Sequence, residues 1–179
     1  IMQGRLSPSK NGKIQVFPLD TWKEEFALAK EIGYELIEWV LDTTDLTQNP
    51  LLTPGGRQEI NQNKKKYGID VPSVCCDYFV EYPFHDAALD VRLQSHGMLL
   101  ELIRVCPEVD INLIELPLIG KSSIKKKKDA DIVVALFNDL IPLLEKQDVY
   151  LLLETDLSPE GVTELLKSLP SNRIQVNYD

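Results

Sequence analysis

The sequence predicts an α/β fold, a parallel (β/α)8 barrel that is incomplete, with about six of the eight strand–helix units present. Three observations carry this. Short apolar runs centred near positions 37, 74, 114, 152 and 176 alternate with longer amphipathic stretches. Their spacings, roughly 24 to 40 residues and each enclosing a helix, are those of βα units in a parallel sheet. Neither a GxGxxG loop nor a Walker A follows the first strand, which places an open doubly wound sheet behind the barrel.

The elements follow in order. Ile1-Met2-Gln3-Gly4 is read as the remnant of the first strand. Thr21 stands three residues before Glu24 in capping-box spacing, and Trp22, Phe26, Ala29 and Ile32 recur at helical period. Gly33 ends that helix as a residue with positive φ would. Tyr34 to Val40 is short and rich in strand formers. Thr53-Pro54 predicts an N-cap with proline in the first turn, and a helix to Tyr67 before Gly68.

A strand is expected from Asp70 to Cys76 and a helix from Val91 to Val105. Ile111 to Leu116 is expected to be a strand ended by Pro117. A long helix from about Asp129 to Lys146 contains Pro142, a candidate kink. Val149 to Glu154 is nearly all apolar and is expected to be buried on both faces. Ser158-Pro159-Glu160 opens another helix, and Arg173 to Tyr178 is the last strand.

At 179 residues, 44% hydrophobic and 26% charged, the chain supports one domain over residues 1–179. The net charge of −9 makes nucleic acid a poor partner. Apolar runs are too short for a membrane span, and no signal peptide opens the chain. Cys75, Cys76 and Cys106 form no CxxC pair and read as reduced, buried thiols of a cytoplasmic protein. The lysine runs at 64–66 and 125–128 read as solvated surface.

Function in a parallel barrel gathers at the C-terminal ends of the strands. The polar residues expected there are Gln3, Gly4 and Arg5, then Glu38, then Asp77 with His85 in the loop beyond. Glu115 and the Lys121-Ser122-Ser123 stretch follow, then Glu154, then Asn177 and Asp179. Glu154 closes the apolar run Leu151-Leu152-Leu153, so its carboxylate must be paired, solvated or bound to a cation. Asp179 occupies the same position on the next strand, and two such carboxylates make half of an oxygen-rich divalent metal site. The same positions suit carboxylates that cap the following helices or pair with lysines. Arg5, Lys121, Ser122 and Ser123 are candidate phosphate contacts.

The stretches Ile1-Met2-Gln3-Gly4-Arg5-Leu6-Ser7-Pro8, Gly33 to Trp39, Leu153-Glu154-Thr155-Asp156 and Val176-Asn177-Tyr178-Asp179 together resemble, in the same order, bacterial sugar phosphate isomerase/epimerase proteins with a xylose-isomerase-like TIM barrel. The resemblance covers the whole chain but only about two-thirds of a typical barrel of ~250 residues. It implies a divalent metal ion (Mn, Mg, Co or Zn) held by a Glu, an Asp, a His and a second Glu on four successive strands. Glu154 matches the first and Asp179 the second; the strands bearing the His and second Glu are absent. It further implies Glu154 as acid/base and a sugar or sugar phosphate as the ligand. Position at or beyond the strand ends, not the resemblance, makes Gln3, Arg5, Glu38, Asp77, His85, Ser122 and Asn177 the candidate substrate contacts.

Two other readings compete. An endonuclease-IV-like repair enzyme needs a histidine-rich metal cluster, and the chain has 2 histidines. A non-catalytic sugar-binding barrel or inactive fragment fits the same fold, which does not settle function. A six-strand arc also leaves two unpaired edges, so more chain or a second copy in a homo-oligomer is expected to cover them, and the 179-residue piece alone is expected to be inactive.

Overall fold

The computed structural model describes residues 1–9, 12 and 16–178. Strand and helix alternate as the apolar spacing predicts: α1 (Trp22–Ile32), β1 (Leu36–Val40), α2 (Pro54–Tyr67), β2 (Asp70–Cys75), the short α3 (Tyr78–Glu81), α4 (Leu89–Val105), β3 (Leu113–Leu118), α5 (Lys127–Gln147), β4 (Tyr150–Thr155), α6 (Pro159–Lys167) and β5 (Ile174–Val176). The five strands form one sheet in the order β1-β2-β3-β4-β5, every neighbouring pair parallel. This is a partial (β/α)8 barrel. The opening residues run along β1 through a single parallel bridge between Met2 and Glu38. Glu38 N–H donates to Ile1 O at 2.8 Å, and Gln3 N–H donates to Glu38 O at 2.9 Å.

Local chemistry sets most boundaries. Gly33 ends α1 at φ 96° and Gly68 ends α2 at φ 64°, conformations that cost glycine little. Thr53 and Ser158 cap α2 and α6, each hydroxyl accepting from the N–H three residues on, with proline in the first turn. α5 runs unbroken through Pro142.

Four expectations fail. Thr21 makes no side-chain cap; its hydroxyl lies 2.8 Å from Ser7 Oγ, so it ties the first loop to α1 instead. Pro117 does not end β3. It sits opposite Glu154, where β3 is paired only with β4, and a proline is tolerated where one neighbour is missing. Lys64 is not a solvated lysine: it is buried, with Nζ 2.5 Å from Val109 O and 2.8 Å from Asp110 Oδ2. β4 is buried on one face only, because Leu151 and Leu153 lie under helices while Leu152 and Glu154 stay half-buried on the opposite side.

The strand register sorts side chains into two faces. Ile37, Trp39, Val74, Ile114, Leu116, Leu151, Leu153 and Ile174 point toward the helices and are buried. They join Phe26, Ala29, Ile60, Leu99, Leu102, Ile103, Val133, Phe137, Leu140 and Leu144 from the helices in one apolar cluster. Each such side chain contributes about 1.5–3 kcal/mol, so this face anchors the fold. Trp39 packs against Phe17 and Trp22, centroids 5.2 and 5.5 Å away, and its Nε1–H donates to Asn49 Oδ1 at 3.0 Å. The other face carries the polar residues.

Candidate functional site

Side-chain alternation along parallel strands puts every second residue on the inner face, and register decides which of them meet. Glu38 pairs with Ser73, Cys75 with Glu115, Glu115 with Leu152, and Pro117 with Glu154. Glu38, Ser73, Cys75, Glu115 and Glu154 therefore share the face away from the helices. Ser73 Oγ donates to Glu38 Oε1 at 2.9 Å. The Cys75 sulfur lies 3.8 Å from Glu115 Oε1 and 3.7 Å from Asp77 Oδ1.

Glu115 is 8% exposed. Burial, then the negative charges of Glu38 and Glu154, raise its pKa to about 7; the Cys75 thiol opposes this weakly and Asp77 adds to it. Among the strand-end residues this one is undervalued by the sequence. Its signal is a lone carboxylate inside Leu113–Leu118, a strand whose other residues are apolar. Burial and the neighbouring acids hold the thiol of Cys75 far above its usual range as well.

The remaining candidates fall into three groups. Gln3 is buried at the head of β1, its Oε1 accepting from Val40 N–H at 3.3 Å, and its Nε2 has no hydrogen-bond partner among the described residues. Arg5 is exposed. Its loop is held by Glu25, a buried carboxylate of α1 that accepts from Gly4 N–H at 3.0 Å and Leu6 N–H at 3.2 Å. Burial raises the Glu25 pKa and these hydrogen bonds oppose the rise. Asn177 N–H donates to Leu153 O at 3.0 Å, which carries the chain past β5 alongside β4. Asp179 lies outside the described residues.

His85, Ser122 and Ser123 brace neighbouring loops above the sheet. Ser122 Oγ is buried and donates to Phe79 O. His85 is also buried, with Nε2 3.1 Å from Ser123 O; a carbonyl only accepts, so Nε2 carries the proton. Ser123 Oγ donates to Asp156 Oδ2 at 2.6 Å, two residues beyond Glu154. Lys121 pairs with Glu81 at the surface. Loops after β2, β3 and β4 are thus joined by side chains proposed from sequence to touch a ligand.

A model of the xylose isomerase-like TIM barrel family matches residues 26–179. The chain belongs to that family. Curated relatives are putative L-ribulose-5-phosphate 3-epimerases: one from Haemophilus influenzae, 29% identical over 97 residues, and one from Escherichia coli, 26% identical over the same length. Each match covers 54% of this chain and 34% of the relative.

Among solved structures of the family's fold, L-ribulose 3-epimerase superposes with a TM-score of 0.70 at 14% identity, covering 98% of this chain and 58% of the other. D-psicose 3-epimerase from Clostridium cellulolyticum H10, solved with D-tagatose, gives 0.69 at 17% identity, covering 87% and 56%. A xylose isomerase-like barrel from Mycobacterium smegmatis in complex with magnesium gives 0.68 at 13% identity, covering 94% and 59%. The chain spans about a third of its curated relatives and under three-fifths of these structures.

Proposed function

We propose that this partial barrel belongs to a divalent-metal-dependent epimerase or isomerase of a sugar or sugar phosphate, working by proton abstraction beside a carbonyl. One observation carries the reading. Glu154 is the penultimate residue of β4 on the inner face of the sheet, and its charge and that of Glu38 both act on Glu115. A concentration of carboxylates on that face suits a cation and a polyhydroxylated ligand. The names of the relatives point the same way.

The donor set fits a hard divalent ion. No group of three or more His, Cys, Asp or Glu among the described residues converges on a metal geometry; Glu154 and Asp179 are the residues of this chain that would hold the ion. Such an ion, when bound, stabilises negative charge on the oxygens beside the carbon that loses its proton. Glu154 takes up that proton and returns it. Return to the neighbouring carbon isomerises; return to the opposite face of the same carbon by a second acid epimerises. Glu38 and Asp77 border the same inner face and are assigned to sugar hydroxyls, and the exposed Arg5 to a further ligand contact. Gln3 and Asn177 are assigned to ligand contacts beside β1 and beyond β5. His85 and Ser122 act here as braces for the loops above the sheet.

The test uses the complete natural protein with Mn2+ or Mg2+, supplied with L-ribulose 5-phosphate, D-psicose or D-tagatose in deuterated water. Epimerisation with deuterium entering at the reacting carbon is expected, lost in Glu154→Gln together with stoichiometric metal in Glu154→Ala and Asp179→Ala. Metal retained in both alanine variants would withdraw the reading.

A further inference from the structure

A cleft of about 420 Å³ opens between the N-terminal ends of α4 and α5, away from the inner face of the sheet. Its charged lining is Asp86, Arg92, Lys126, Lys128 and Asp129. Both acids are already engaged. Asp129 accepts from Lys126 N–H at 2.9 Å and Lys125 N–H at 3.2 Å, and Asp86 Oδ2 lies 3.8 Å from Lys126 Nζ. Arg92 and Lys128 make no ion pair among the described residues. Arg92 Nε is shielded from solvent and has no hydrogen-bond partner among the described residues.

A guanidinium N–H removed from water and left without an acceptor costs on the order of 1–3 kcal/mol. A turn of the side chain that presents the guanidinium fork to the cleft would let a tetrahedral oxyanion supply the acceptor, because its paired oxygens match that fork. The cleft is positive in a chain of net charge −9, so it is a local feature rather than part of a general basic surface. We propose that it binds a phosphate group, with Arg92 as the bidentate partner and Lys128 as the second charge. That group is either the phosphate of a phosphorylated sugar or free inorganic phosphate. The loops that form the cleft follow β2 and β3 and so open on the same end of the sheet as Glu154.

The experiment titrates inorganic phosphate into the complete natural protein at fixed ionic strength, by calorimetry. Saturable binding is expected. Arg92→Gln is expected to weaken it about tenfold, equivalent to about 1.4 kcal/mol, and Lys128→Gln about threefold. Lys167→Gln, on α6, should leave it unchanged. Absence of saturable binding, or equal affinity in all three variants, overturns the assignment. Lys128 is exposed, so its variant carries the test even where Arg92→Gln fails to fold.

A second arm separates the sources. Displacement of bound phosphate by L-ribulose 5-phosphate but not by L-ribulose assigns the cleft to a sugar phosphate; displacement by neither assigns it to the free anion. Only this arm draws on the epimerase reading, and the direct titration stands without it.

Discussion

Cys75 and Glu115 face each other on adjacent parallel strands, the sulfur 3.8 Å from Oε1, on a surface that also holds Glu38 and Glu154. A thiol is a weak donor, so Glu115 gains little from it against the two neighbouring charges. Its pKa of about 7 in the fold exceeds its ordinary value of 4.5. The neutral carboxyl is therefore the form the fold favours. Its stabilisation is complete below pH 4.5 and is lost as pH rises to about 7. The whole shift is worth roughly 3 kcal/mol, and solvent at the open face reduces it to about 1–2 kcal/mol. Glu115→Gln in metal-free protein is expected to flatten the fall in stability between pH 4.5 and 7, measured by urea unfolding. An unchanged pH slope would count against it.

The three thiols are expected to be inert in the folded protein. Cys75, Cys76 and Cys106 are buried, and burial is the main force raising each pKa. Labelling with a disulfide reagent should give no fast reaction at pH 8 and all three thiols after denaturation. One rapidly labelled thiol in the native protein would show that the inner face admits solvent to Cys75.

Adjacent glycines in α2 should behave oppositely. A Cβ on Gly56 would stand 2.3 Å from Pro50 O and 2.4 Å from Pro50 Cα, so the turn before the helix would have to move. Gly56→Ala is expected to destabilise by at least about 2 kcal/mol. Gly55 has open space around the same position, and Gly55→Ala should stabilise by about 0.5–1 kcal/mol. Thermal melts of the pair check both signs.

Ser123 joins the loops after β3 and β4 through its 2.6 Å hydrogen bond to Asp156. Asp156 is exposed, so water can replace the lost donor, and Ser123→Ala should cost about 0.5–1.5 kcal/mol, the net value of one hydrogen bond. Because Asp156 lies two residues beyond Glu154, the metal site proposed above further predicts that the variant weakens metal binding by the complete protein. Stability lost with metal affinity intact would confine Ser123 to a structural role.

Much of the fold is written in local chemistry. Gly33, Gly68, Thr53 and Ser158 stop and start helices through φ and capping groups contained within a few residues, so sequence reading places them. Thr21 shows where that reasoning fails. Its hydroxyl has two possible partners, and the one chosen, Ser7, is brought close by the folding of the first loop. Pro117 fails for a related reason, since its cost depends on whether a strand lies beside it, which sequence spacing does not state.

The sequence by itself determined the alternation of strand and helix, the parallel sense of the sheet and the position of Glu154 at a strand end, because periodicity and caps are short-range properties of the chain. Only the tertiary structure decided that the charges of Glu38 and Glu154 both act on Glu115, and that His85, Ser122 and Ser123 hydrogen-bond across the loops above the sheet. Those relationships depend on the register between strands about 37 residues apart, such as Glu115 against Leu152. Register is set by how the buried face packs beneath the helices, and a shift of one residue would turn each of these carboxylates into the core.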